Sequence, residues 1–121
     1  MIQVKRAYDL PAKSDGHRIL VDRLWPRGCT KESLALHAWA KAVTPSPDLR
    51  KAFHSGAISF AVFEARYRRE LALPEALEGL DELMALARKG TLTLITANKD
   101  EAQNHALVLK AVLDSHLKGK P

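Results

Sequence analysis

The chain has 121 residues, 46% hydrophobic and 27% charged, which is the balance of one globular domain. At that length a single core removes roughly two-thirds of the unfolded chain's surface from water, which leaves no room for a second core. A net charge of +5 favours anionic partners, the lone Cys29 excludes a disulfide framework or a cysteine-built metal centre, and no apolar run approaches the ~18 residues that cross a bilayer.

Met1 to Arg6 lacks the apolar stretch of a secretory signal, so a reducing cytoplasm is the expected location. Ile2 and Val4 alternate with Gln3 and Lys5, which predicts a short strand over 2–6. Ala7 to Gly16 contains Pro11 and the turn signal Ser14-Asp15-Gly16 and cannot carry a helix. The next strand, Arg18 to Val21, is therefore either an antiparallel neighbour of the first or not adjacent to it. Its Ile19-Leu20-Val21 run reads as buried on both faces, and Asp22, Arg23, Trp25, Pro26, Arg27 and Gly28 follow at once. A core strand thus runs straight into a stiff polar loop.

Thr30 can cap a short helix from Lys31, with Leu34, Leu36 and Trp39 as apolar contacts. Ser46-Pro47-Asp48 is a clearer start: a capping hydroxyl, a proline in the first turn and an acid beside the positive helix end. Leu49 and Phe53 then share a buried face, and Gly56 ends the segment. Phe60, Phe63, Tyr67 and Leu71 recur at intervals of three and four and predict a helix from Ser59. Pro74 opens another, with Leu77, Leu80, Met84 and Ala87 as the buried stripe and Gly90 as a left-handed stop. Thr91 to Thr96 is strand-like. Asp100-Glu101-Ala102-Gln103 has the form of a capping box opening a last helix whose Ala106, Leu109, Val112, Leu113 and Leu117 face inward, and residues 118–121 form a frayed tail.

Helices separating the second strand from the late one predict an α/β fold over 1–121: a single layered domain whose small mixed or mostly parallel sheet is flanked by helices. If the strands over 18–22 and 92–96 are parallel, the loops after them leave the same sheet edge. Asp22–Gly28 and Ala97–His105 then face one cleft.

Leu20 to Gly28, preceded by Lys5-Arg6-Ala7-Tyr8-Asp9 and followed by Pro45-Ser46, Leu49-Arg50, Phe63, Arg66-Tyr67, Glu70-Leu71 and Asn104-His105-Ala106, resembles the YeaO-like branch of the domain-of-unknown-function family 488 over nearly the whole chain. The resemblance implies a compact bacterial-type α/β domain and no assigned activity. It also implies a cysteine-bearing loop after the late strand in the wider family, where this chain has Thr96-Ala97-Asn98-Lys99, which argues against thiol chemistry there. Related sequences usually carry an aliphatic residue at the position of Cys29, which implies packing rather than nucleophilic work.

Arg23 and Arg27 bracket Trp25-Pro26, and two guanidiniums on a rigid loop suit a phosphate or carboxylate through forked hydrogen bonds; the rival reading is an internal ion-pair network with Asp22 or Glu70. Trp25 is a candidate ligand contact, although packing is the commoner role of such a ring. Asp22, at a strand's carboxyl end, either abstracts a proton or orients an arginine. Arg66 and Tyr67 enter as ligand contacts through the family match, with Arg50 and Glu70 as further helix residues that can line the cleft. Asn98, Lys99, Asn104 and His105 stand near the start of the last helix, where free N–H groups favour an anion, and His105 can move protons near neutral pH.

The expectation is an Arg-lined pocket for a small phosphorylated or nucleotide-like anion, with hydrolysis or group transfer as its possible chemistry. Asp22 and His105 are the catalytic candidates, and Arg23, Trp25, Arg27, Arg66, Tyr67 and Asn104 the binding ones. The alternative is a non-enzymatic nucleic-acid-binding or regulatory module that uses the basic amino-terminal third, where seven Lys/Arg face three Asp over 1–31. An aromatic content of 6% and the lack of a recognition-helix pattern weigh against that alternative. No metal or cofactor is expected.

Overall fold

The β-branched run near the end of the chain becomes the centre of the sheet. In the computed structural model, which describes residues 1–119, strand β4 (Leu92–Thr96) lies between β1 (Ile2–Arg6) and β2 (His17–Leu20), and β3 (Ala38–Trp39) borders β2. All pairings are parallel, with Val4 and Ile19 both opposite Leu94. The first two strands are thus not adjacent, because the last strand inserts between them. The two-residue β3 carries no periodicity and was not foreseen. It forms because the open side of β2 needs partners: His37 N–H donates to Arg18 O at 2.7 Å and Ala40 N–H to Leu20 O at 2.9 Å.

Alternation along the strands divides two cores. Ile19, Val21, Leu92 and Leu94 face the larger one, built with Leu49, Phe63, Tyr67, Leu80, Leu109 and Leu113 from the helices. Those helices are α2 (Pro47–His54), α3 (Phe60–Glu70), α4 (Pro74–Lys89) and α5 (His105–Lys118), which follow the one-turn α1 (Lys31–Leu34). Leu20 and Ile95 face the other way, into a small cluster with Ala7 and Leu34. Helix starts follow the capping residues: Thr30, Ser46 and Ser59 each accept the N–H three residues on.

Three expectations shift. Leu77 is 41% exposed, and the buried stripe of α4 is Ala76, Leu80, Leu83, Met84 and Ala87, rotated slightly around the helix. Gly90 has φ 169°, an extended conformation and no left-handed stop. Asp100 does not open the last helix; its Oδ1 accepts from the N–H groups of Ala102 and Gln103 in a separate turn, and the helix begins after Asn104. Of the expected frayed tail, Lys118 closes α5 and Gly119 N–H donates to Ser115 O, while residues 120–121 lie outside the described residues.

The thinly covered face carries a buried ionic knot. Asp15, 2% exposed, takes Arg18 Nη1 at 2.6 Å, Lys5 Nζ at 3.1 Å and the Ala12 N–H at 2.9 Å. Its burial opposes ionisation, but the Ala12 bond and the two cations outweigh that and hold its carboxyl below the usual value. Gly16 completes the turn at φ 60°, packed so closely that an added Cβ would sit 2.3 Å from Thr91 O.

Candidate functional site

Parallel pairing of β2 with β4 brings the ends of both strands to one edge, and Val21 N–H extends the ladder by donating to Ile95 O at 3.0 Å. The next residue, Asp22, bridges to the other loop: Oδ1 accepts from Thr96 Oγ1 and Oδ2 from Ala97 N–H, both at 2.7 Å. His105, at the first turn of α5, brings Nε2 to 3.0 Å from Asp22 Oδ1 and 2.9 Å from Val21 O. A carbonyl only accepts, so Nε2 carries the proton, and among the described residues Nδ1 has no hydrogen-bond partner. Desolvation pushes the Asp22 carboxyl up, yet the hydrogen bond and charge of His105, with the Ala97 and Thr96 bonds, leave it below its ordinary value. Asp22 is thus ionised, and both of its oxygens have hydrogen-bond partners.

Beside this pair opens a cleft of about 460 Å³, inside the range usual for small-molecule sites. Asp22, Arg23, Leu24, Trp25, Pro26 and Arg27 form one wall, with Ala97, Asn98 and Lys99 next to them; Arg50, Phe53 and His54 come from α2, with Tyr8, Pro45, Phe63 and His105 completing the lining. Arg23 Nε donates to Pro45 O at 3.2 Å. Among the described residues none of Arg23, Arg27, Arg50 or Lys99 has a carboxylate within ion-pair distance. Asp22, the one acid of the lining, is turned toward Thr96, Ala97 and His105. The His54 imidazole is held below its usual value, first by burial and then by the charges of Arg50 and His105.

The sequence-derived candidates divide here. Asp22, Arg23, Trp25, Arg27 and His105 meet at the cleft, as do Asn98 and Lys99. Arg66 is exposed on α3 and does not line it. Tyr67 is completely buried, its hydroxyl donating to Val43 O, and burial drives its phenol well above the ordinary range. Asn104 is 2% exposed and serves as the α5 cap, its Oδ1 accepting from Leu107 N–H at 3.0 Å, and it does not line the cleft. Glu70 clamps the start of α2 by accepting from Ser46 N–H at 2.8 Å and Ser46 Oγ at 2.6 Å, which sets the helix that presents Arg50. Cys29 packs against the smaller core cluster. Phe53, read only as a core position, Tyr8, quoted only in the family motif, and His54 are lining residues that the sequence does not single out as site candidates. Arg50, Phe53 and His54 are spaced i, i+3 and i+4, so one helix face carries all three, and that spacing was the available signal.

The family model for the inactive DUF488-N3 subclade matches residues 1–121. The chain belongs to the DUF488 family. It is 54% identical over 108 residues to the uncharacterised protein YeaO of Escherichia coli K12, a match covering 89% of this chain and 92% of that protein. The uncharacterised protein Rv3073c of Mycobacterium tuberculosis H37Rv is 37% identical over 113 residues, 93% of each chain. No solved structure matches this chain. Within this family member, no group of three His, Cys, Asp or Glu side chains able to hold a metal occurs among the described residues, and no helix is long and apolar enough to cross a membrane.

Proposed function

We propose that the cleft is a binding site for a small phosphorylated anion, held without being turned over. The observation that carries this reading is the set of cations, Arg23, Arg27, Arg50 and Lys99, that line one concavity with no carboxylate at ion-pair distance among the described residues. Guanidiniums lining one concavity repel one another, and an oxyanion relieves that repulsion while accepting paired hydrogen bonds. Two facts favour binding over catalysis. Asp22 has its oxygens occupied and is therefore a poor proton acceptor, and the matching subclade is described as inactive.

The alternative of a nucleic-acid surface along the basic amino-terminal third is weakened by the ionic knot. Lys5 and Arg18 are spent on Asp15 inside the fold, so the outward charge of that third is smaller than its composition implies.

Isothermal titration with inorganic phosphate and ribose 5-phosphate, at low and moderate salt, tests the reading. Ribose 5-phosphate binds the unaltered chain with an affinity that falls as salt rises, and Arg23→Ala, Arg27→Ala and Arg50→Ala each weaken it about tenfold or more, the loss of one charge-assisted contact. Failure of either anion to bind the unaltered chain at low salt sinks the proposal. Release of inorganic phosphate from the ester would instead show turnover.

A further inference from the structure

We infer, resting on the phosphate reading above, that the ligand's body is a planar heterocycle stacked against Trp25, which makes the ligand a free mononucleotide. Three of the large apolar side chains left exposed, Tyr8 at 50%, Leu24 at 58% and Trp25 at 37%, line this one cleft. Exposure of single apolar residues is ordinary, but a cluster on the walls of a concavity marks a surface meant to be covered. Both aromatic rings are also held in place by their polar tips: Trp25 Nε1–H donates to Cys29 O at 2.8 Å and Tyr8 Oη–H to Arg27 O at 3.1 Å. Trp25 is further braced by a T-shaped contact with Trp39, with centroids 5.6 Å apart. Rings fixed in this way lose little freedom when a flat partner arrives.

The loop therefore alternates guanidinium and indole, Arg23, Trp25 and Arg27, along one wall. Inorganic phosphate or a sugar phosphate has no use for the indole, whereas a nucleotide offers a phosphate to the arginines and a base to the ring. A volume of about 460 Å³ suits one nucleotide rather than a length of strand. One face of Tyr8 is already taken by the Arg6 guanidinium, 5.3 Å from the ring centroid, which leaves Trp25 as the principal stacking surface.

The test compares adenosine 5′-monophosphate, cytidine 5′-monophosphate and ribose 5-phosphate by calorimetry on the full chain, together with tryptophan emission excited at its red edge. Both nucleotides should bind on the order of tenfold tighter than ribose 5-phosphate and quench the emission. In Trp25→Leu the ratio between nucleotide and sugar phosphate should fall to near one, and a ratio unchanged from the unaltered chain overturns the inference. Equal affinities for all three in the unaltered chain would leave the phosphate site standing and remove the stacked base; no binding by any of them removes both. A single-stranded decanucleotide is the last arm. Affinity for it no greater than for the mononucleotides supports a free nucleotide, and affinity more than tenfold greater overturns it in favour of a strand. Should Trp25→Leu fail to fold, Trp25→Phe keeps a stacking face and predicts a partly retained ratio, with full loss of the ratio counting against the inference.

Discussion

Asp22→Asn alters charge and hydrogen-bonding capacity at the junction of the two loops while leaving side-chain volume unchanged. In the native arrangement one oxygen accepts from Ala97 N–H at 2.7 Å and the other from Thr96 Oγ1 at 2.7 Å and His105 Nε2 at 3.0 Å. An asparagine oxygen can stay on Ala97, which leaves its NH2 facing the other two. Thr96 can turn its hydroxyl to accept, but the His105 Nε2–H cannot, so one charge-assisted bond is lost and two become neutral. With bonds to charged groups worth ~1.5–3 kcal/mol and neutral ones ~0.5–1.5, one bond lost and two weakened should cost the variant about 3.5–6 kcal/mol. At roughly 4 °C per kcal/mol for a domain of this size, that is a fall of roughly 14–24 °C in Tm.

The effect should depend on pH with a definite sign. The folded-state value of Asp22 lies below the ordinary 3.8, so the unfolded chain binds the proton more readily. Its contribution is therefore complete above about pH 4 and disappears as pH falls through the lower folded value. Urea unfolding of both proteins at pH 7 and at a series of lower pH values should show a gap that is widest at neutral pH and narrows as the pH falls below the ordinary carboxylate range. Equal stabilities at pH 7, or a gap that persists undiminished in acid, would refute the assignment of Asp22 as the ionised tie between the loops.

Other substitutions probe the scaffold. Gly16→Ala places a Cβ 2.3 Å from Thr91 O at a φ of 60°, and the combined strain and clash should cost about 3 kcal/mol or more, read as a lowered urea midpoint. A near-native midpoint would mean that the turn relaxes freely. Asp15→Asn leaves Arg18, 4% exposed and with Nη2 already unpartnered, without its counter-ion; about 3–5 kcal/mol should be lost at neutral pH, fading below about pH 4 because the folded Asp15 carboxyl also titrates low. Tyr67→Phe strips Val43 O of its buried donor and should cost about 1–3 kcal/mol while leaving ribose 5-phosphate affinity intact; a selective loss of affinity would return Tyr67 to the site.

Local chemistry made much of the scaffold legible. Ser46 and Ser59 mark their helix starts because a short hydroxyl at the cap satisfies an otherwise unpaired N–H, and that preference acts within four residues. Asp100 shows the limit of the same logic: its side chain satisfies nearby N–H groups equally well in a turn, so the signal was real and its context was not visible. Tyr67 is drawn to the site by the family match and Asn104 by its place near the start of the last helix, and the structure gives each a local role, a hydrogen bond to the Val43 carbonyl and the α5 cap. Arg50, Phe53 and His54 share a helix face whose direction depends on the grip of Glu70 on Ser46, a contact across 24 residues.

What the sequence by itself determined is whatever depends on neighbours along the chain: the longer helices and strands, the Thr30, Ser46 and Ser59 caps, the buried run into Asp22, and the family. The tertiary structure alone decided that the last strand inserts between the first two, because strand order follows from which apolar faces can be covered together and from no local preference. That insertion sets Asp22 against Thr96, Ala97 and His105 across more than seventy residues. It also decided which cations are neutralised, Arg18 by Asp15 in the interior, and which are left facing a cleft, Arg23, Arg27 and Arg50, since a charge's partner is fixed by distance in space and not by distance in sequence.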